Sequence, residues 1–303
     1  MYDIPVWYLG AFELPVHWVL MAACCLAALG AGLLLGKKQG FSAANVCLYG
    51  LIAAALGFFF ARAIYCIVYG YEVFQDEMGE FAGIWPFFNP GVGSANVMGF
   101  VAGVLLAAPI SAAITKKRAA DYLDMAVVPV LVLYILARVI EPLSGQGYGD
   151  MMGYEVCVAW LEAALTAIVL AIVPILRKKS RCSGALAQYA LVLWCLMQIL
   201  PESLRTDDAL FVIIFARVTH LGLAVTLGVT LLRLLVKNGR KIGAKGVVLD
   251  VIGLAAGLGV AIGTIFALDK TNWPKPLVYA LMIAALVELG FVICRRIHKE
   301  DMR

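Results

Sequence analysis

Residues 122–141 read YLDMAVVPVLVLYILARVIE. No charged side chain falls between Asp124 and Arg138. As a helix this stretch would be about 30 Å long, the thickness of a bilayer's hydrocarbon core. It ends in Arg138 and Glu141, which stand three apart and so share a helix face. A membrane span closing on a charged turn is the pattern that organises the whole chain.

The pattern recurs. Apolar runs fall at about 14–36, 44–70, 92–115, 122–141, 154–176, 184–201, 209–236, 247–267 and 276–294. Hydrophobic residues make up 63% of the 303, charged residues 15%, and the mean hydropathy is +0.92. A soluble domain has about half apolar and a quarter charged residues, so a single soluble core is excluded. The expectation is an all-α polytopic membrane protein with about nine transmembrane helices.

Orientation follows from the Lys and Arg residues of the loops. The segments after spans one, three, five, seven and nine carry seventeen of them, and the opposite side carries only Arg205, Lys270 and Lys275. The N-terminus is therefore expected outside and the C-terminus in the cytoplasm. The net charge of +4 reports topology and gives no reason to expect nucleic acid. The first 13 residues hold Asp3 and Glu13 but no Lys or Arg. They lack the basic start of a cleaved signal peptide, so the first span is expected to stay.

Seven of the eight cysteines fall within spans and none forms a CxxC or metal spacing. They read as small packing residues; no metal and no cofactor is expected. The basic stretch 237–246 is a module seam. It divides a seven-span core (1–236) from a two-helix membrane segment with a basic cytoplasmic tail (247–303). Span eight carries Gly253, Gly257, Gly259 and Gly263, a doubled small-xxx-small pattern that favours close helix packing. With Asp250 and Glu288 the only acids and no arginine within the pair, residues 247–294 read as a packing or helix-partner surface.

Charge at membrane depth is costly and is normally put to use. Arg62, Arg138, Glu141, Glu162, Glu202, Arg205, Arg217 and His220 all fall in the outer half of their spans, with His17 near the outer start of span one. Arg138/Glu141, Glu202/Arg205 and Arg217/His220 are i,i+3 pairs that could face one cavity. Internal ion pairing that only holds the bundle together is the plain alternative. A cavity with excess arginine suits an anionic head group, because guanidinium forks match phosphate oxygens. Loop 142–153 contains Gly145, Gly147, Gly149 and Gly153; an anion nest and a plain turn are equal readings of it. Loop 71–91 is acidic and aromatic, with Asp76, Glu77, Glu80, Trp85, Phe87 and Phe88, and suits the membrane interface.

Four short motifs, in order over roughly residues 14–236, resemble the prolipoprotein diacylglyceryl transferase family. Ala61-Arg62-Ala63-Ile64-Tyr65, followed by Tyr69, resembles its A-R-L-G-Y-x-x-x-Y. Ala137-Arg138-Val139-Ile140 is similar to the start of its G-R-I-G-N-F-I-N-G-E, and Leu161-Glu162-Ala163 to its Y-E-A. Glu202-Ser203-Leu204-Arg205-Thr206-Asp207-Asp208 resembles E-F-F-R-x-P-D. The resemblance implies transfer of a diacylglyceryl group from phosphatidylglycerol to the cysteine thiol of an exported prelipoprotein, at the outer face of a bacterial plasma (inner) membrane. It implies that Arg138 holds the lipid phosphate, that Glu202 and Arg205 line the same cavity, and that Arg62 and Glu162 support it.

The chain departs from the family at named places. The F-H-G-G histidine is replaced in Gly93-Ser94-Ala95-Asn96-Val97-Met98-Gly99, with no His between His17 and His220. The first Asn of the signature has become Glu141, a second arginine falls at Gln198, and the I-R-W-Y-G of span one reads Val16-His17-Trp18-Val19-Leu20. The expected catalytic set is Arg138, Glu202, Arg205 and His220. The expected substrate-binding set is Arg62, Tyr65, Glu141, Glu162, Arg217 and Gly145. A catalytically inactive homologue that binds an anionic phospholipid or a lipoprotein is the alternative. A transporter ranks last, because polar residues do not run through both halves and no inverted repeat is visible.

Overall fold

The computed structural model describes residues 6–9, 12–75, 81, 83–88, 95–206, 211–213 and 216–301. Among these, nine helices are long and apolar enough to cross a membrane. They are α1 (Val16–Lys38), α2 (Ala43–Val68), α5 (Val97–Thr115), α6 (Ala119–Ile140), α7 (Val158–Lys179), α8 (Ala185–Leu204), α9 (Val218–Ile242), α10 (Ala244–Lys270) and α11 (Lys275–Asp301). Short helices α3 (Gly70–Phe74) and α4 (Trp85–Phe88) lie between α2 and α5. The described residues also form three antiparallel hairpins: β1 (Val6–Leu9) with β2 (Phe12–Pro15), β3 (Tyr148–Met151) with β4 (Tyr154–Cys157), and β5 (Phe211–Ile213) with β6 (Ala216–Arg217). This is an all-α multi-pass membrane protein, with nine spans among the described residues.

Helix α8 is the axis of the bundle. Over its most apolar 18 residues 67% are buried, against 22% to 39% in the same stretch of the other spans. Its Trp194, Cys195 and Ile199 share one apolar core with Leu223, Leu227 and Leu231 of α9 and Met282, Leu289 and Ile293 of α11. A second core joins α1, α2, α5 and α6 around Tyr49, Ala107, Tyr122 and Met125. The outward faces carry Leu34, Leu51, Ile67, Ile175, Leu232 and Val287, all exposed. Apolar side chains on the outside suit a hydrocarbon solvent, where burial supplies no hydrophobic driving force between helices.

Close approach therefore depends on small residues. A Cβ on Gly103 would lie 2.3 Å from the Gly57 backbone nitrogen, so α2 and α5 touch backbone to backbone. Gly253 and Gly257 of α10 instead make room for side chains of α11: added Cβ atoms would meet the two oxygens of Glu288, at 3.1 and 2.6 Å. Gly259 and Gly263 face open space instead. Only one half of the doubled pattern packs within the chain.

The basic ends of the helices are drawn together by acids. Asp124 of α6 accepts from the backbone N–H groups of Gly184 (2.7 Å) and Ala187 (2.8 Å), capping the start of α8 from a neighbouring helix. Asp301 accepts from Arg181 (2.8 Å) and Cys182 (2.6 Å), which anchors the end of α11 on the α7–α8 turn. Lys117 reaches the Gly40 carbonyl at 3.0 Å.

Several boundaries differ from the sequence reading. Span three was expected from about 92, but α5 starts at Val97 because Asn96 caps it, accepting from Met98 N at 2.9 Å. Span seven was expected from about 209; Phe211 instead pairs with Arg217 in a hairpin, and α9 begins at Val218. Asp76, Glu77, Glu80, Gly93, Ser94, Asp207 and Asp208 lie outside the described residues. The basic tail after span nine is helical: α11 runs to Asp301. Arg296, read from the sequence as a loop cation, is 5% exposed and pairs with Asp250 of α10. The last two spans thus do hold an arginine, and buried charge is not confined to one end of the bundle.

Candidate functional site

At the end of the bundle opposite the basic turns, four charged side chains from three helix ends and one turn form a closed ring. Arg138 stands in the last turn of α6, and Glu141 opens the 3-10 turn Glu141–Ser144 that follows. Glu162 lies in the second turn of α7, and Arg205 caps the end of α8. Arg138 Nη1 donates to Glu141 Oε2 at 2.5 Å, and its Nε lies 2.5 Å from Glu162 Oε2. Arg205 Nη2 donates to Glu141 Oε1 at 2.5 Å and Nη1 to Glu162 Oε1 at 3.2 Å. Each glutamate therefore spans both arginines, and the four formal charges cancel.

The ring is graded in depth. Glu162 is 1% exposed, Arg205 9%, Glu141 14% and Arg138 15%. Below it, the Tyr134 hydroxyl lies 3.0 Å from Glu162 Oε2 and 2.9 Å from Gln198 Oε1, and its single proton serves one of these at a time. Gln198 Nε2 donates to Thr166 Oγ1 at 3.0 Å, and Thr166 donates to the Glu162 carbonyl at 2.8 Å. Arg138 Cζ sits 4.9 Å from the centre of the Tyr134 ring. A ring of this kind repays the desolvation of its members through geometry and costs dearly when one partner is removed.

The glycines of loop 142–153 act on this ring through the backbone. The loop forms the 3-10 turn and then the β3–β4 hairpin, with Tyr148 opposite Cys157. Gly147 has φ +87, and an added Cβ would meet Ala159 Cβ at 2.6 Å and Glu141 Cγ at 3.4 Å. Gly149 bridges to Arg205, where an added Cβ would lie 2.2 Å from the Leu204 carbonyl oxygen. Gly145, the glycine expected to approach a ligand, has φ +77 and open space around it. Beside the ring, burial pushes the Cys157 thiol up, against the opposing pull of backbone N–H groups at Trp160 and Ala159.

The remaining expected residues form two further groups. Glu202 and Arg205, expected as a pair, part company. Arg205 reaches across to α6 and α7, while Glu202 meets Arg217, whose Nη1 lies 3.7 Å from Glu202 Oε1 and donates to the Glu202 carbonyl at 2.8 Å. Arg217 Nη2 also donates to the Arg205 carbonyl. His220 adjoins this group: Nε2 lies 3.4 Å from the Ile199 carbonyl, and the buried Nδ1 has no partner among the described residues. Arg62, 1% exposed, holds the outer loop instead, donating from Nε to the Phe87 carbonyl (3.0 Å) and from Nη2 to that of Pro86 (2.7 Å). Tyr65 stacks on Tyr69, with ring centres 5.6 Å apart.

Of the expected set, Arg138, Glu141, Glu162 and Arg205 thus meet in one cluster. Glu202, Arg217 and His220 form a second, and Arg62 with Tyr65 a third. Among the described residues the ring itself has two arginines facing two glutamates. Sequence reasoning missed Tyr134, Thr166 and the bridging role of Gln198. Tyr134/Arg138 and Glu162/Thr166 are i,i+4 pairs, so helix-face spacing could have found two of them. The chain matches no protein-family model and no curated protein.

Proposed function

We propose that the chain is a diacylglyceryl-transferase-like protein of a bacterial plasma membrane. It takes a diacylglyceryl group from phosphatidylglycerol and attaches it to the cysteine thiol of an exported prelipoprotein at the outer face. One observation carries this reading: Arg138, Glu162 and Arg205 come from three separate motifs of that family's order and meet in one buried cluster. A chance match of these three motifs would give no reason for their side chains to converge; Arg62 of the remaining motif lies apart, on the Pro86 and Phe87 carbonyls.

The chemistry follows from the parts. The thiol sulfur attacks the terminal glyceryl carbon of the donor, forming the thioether as the carbon–oxygen bond to phosphate breaks. The leaving phosphoglycerol gains negative charge, which the Arg138 and Arg205 guanidiniums offset. The thiol proton goes to a base, since the thiolate is the nucleophile. His220 fits that role: with Nε2–H directed at the Ile199 carbonyl, the unpartnered Nδ1 is left as the acceptor.

The alternative, a homologue that binds the lipid without reacting, is favoured by the charge balance of the ring and by Gln198, whose amide is engaged by Tyr134 and Thr166. Expression in cells depleted of their own diacylglyceryl transferase separates the two. Lipid modification of a prelipoprotein, abolished by Arg138→Ala, supports the enzyme. Absence of any modification, with the protein present in the membrane, sinks it for that substrate.

A further inference from the structure

Glu288 of α11 is exposed on the outward surface of a membrane span. Its two carboxylate oxygens lie over Gly253 and Gly257, where added Cβ atoms would meet them at 3.1 and 2.6 Å. These glycines stand 9 and 13 residues beyond Ala244, the inner start of α10, or about 14 and 20 Å along a helix. The carboxylate is thus near the middle of a hydrocarbon core about 30 Å thick. An ionisable side chain at that depth is costly, and it normally faces the bundle interior and is paired there. The other acids of the spans obey this: Glu141, Glu162 and Glu202 each meet an arginine, and Asp250 meets Arg296. Glu288 does not. Among the described residues it makes no hydrogen bond and no ion pair.

We infer that Glu288 anchors a docking surface for a transmembrane helix of another protein, one that carries a basic side chain at mid-bilayer. The charge sets the partner's chemistry, since an apolar helix or a lipid tail would leave the carboxylate unpaired. A second copy of the chain does not supply the cation. The exposed basic residues nearest to Glu288 stand toward the inner helix ends. Arg295 is seven residues further along α11, about 10 Å away. Lys237 bonds Glu300, which lies 12 residues beyond Glu288, and Arg233 is only one turn above Lys237. The deeper arginines Arg62, Arg138, Arg205 and Arg217 are engaged inside the chain. The surface around Glu288 also permits a close approach. Ala284 and Phe291, four residues before it and three after, share its face of α11. Ala256 and Val260 stand three residues on from Gly253 and Gly257, and all four of these flanking residues are exposed. Small residues such as Ala256 and Ala284 let helix backbones come together in lipid. None of this depends on the function proposed above.

The test uses the full chain, labelled and reconstituted in zwitterionic vesicles, with two labelled leucine-rich transmembrane peptides. One peptide has a central lysine and the other has leucine in its place. Energy transfer should show the lysine peptide associating about tenfold more tightly than the leucine peptide, the scale of one charge-assisted contact. Glu288→Gln keeps the shape and removes the charge, so it should abolish that difference. Equal association of both peptides with the wild type overturns the inference, and this comparison needs no variant. A lysine preference that survives in Glu288→Gln puts the docking elsewhere and overturns it as well. Energy transfer between two labelled copies of the chain, lost in Glu288→Gln, would make the occupant a second copy and overturn the hetero-partner assignment.

Discussion

Gly149 and Arg205 pair as an isolated antiparallel bridge, and this contact ties the β3–β4 hairpin to the end of the helix that carries Arg205. The approach is backbone to backbone, completed by Thr206 N donating to the Tyr148 carbonyl at 3.1 Å. Gly149→Val should be severely damaging, since even a Cβ there would lie 2.2 Å from the Leu204 oxygen and 2.5 Å from Val158 Cγ2. A loss of about 2–4 kcal/mol is expected, from overpacking plus the broken bridge. Thermal unfolding in detergent should show a lowered Tm. At Gly145, where the surroundings are open, Asn tolerates the positive φ and Gly145→Asn should leave Tm nearly unchanged.

Glu162 is the member of the ring whose loss should cost most. Its carboxylate meets Arg138, Arg205 and the Tyr134 hydroxyl while 1% exposed. Glu162→Leu would remove the buried carboxylate that the two guanidiniums share, at a cost of about 3–5 kcal/mol. Glu162→Gln keeps the shape and an acceptor oxygen, so it should cost less. A Glu162→Leu protein as stable as wild type would show that the ring is not closed in the membrane.

How far the sequence could be read depended on the range of the interaction. The nine spans follow from local composition, and Arg138 with Glu141 follows from spacing along one helix, because both are short-range properties of the chain. Partners across helices are not. Nothing in the i,i+3 spacing of Glu202 and Arg205 indicates that the second residue turns toward α6 and α7 while the first turns toward Arg217. That divergence is set by the helix end at Leu204, after which the backbone of Arg205 is extended and aims its side chain elsewhere. Likewise Arg296 looks like one cation among several in a basic tail until α10 brings Asp250 against it.

That Asp250–Arg296 pair should matter for stability and not for lipid transfer. It lies on α10 and α11 toward the basic end, with Arg296 also donating to the Gly246 carbonyl at 3.3 Å. Asp250→Leu alone leaves a buried guanidinium unpaired and should lower stability by about 3–5 kcal/mol, and the double variant Asp250→Leu/Arg296→Met should recover much of that. Unfolding of the single and double variants gives the coupling. On the function proposed above, Asp250→Asn protein that still reaches the membrane should modify a prelipoprotein to the same extent as wild type, whereas Arg138→Ala should not.

The glycines of α10 offer an internal comparison. Gly257 faces α11, where an added Cβ would meet Glu288 Oε2 and Leu289 Cγ, both at 2.6 Å, while Gly259, two residues on, meets nothing within 4 Å. Gly257→Val should therefore force α10 off α11 and cost about 1–3 kcal/mol, because the exposed Glu288 carboxylate can swing aside but Leu289 is fully buried and cannot. Gly259→Val changes the same residue type at nearly the same depth, so any effect of helix propensity is shared between the two variants. What differs is that Gly257 is buried against α11 and Gly259 is exposed. Unfolding midpoints measured side by side should drop for Gly257→Val and stay within about 0.5 kcal/mol for Gly259→Val; equal losses would mean that the two helices do not meet at the Gly253 and Gly257 notch.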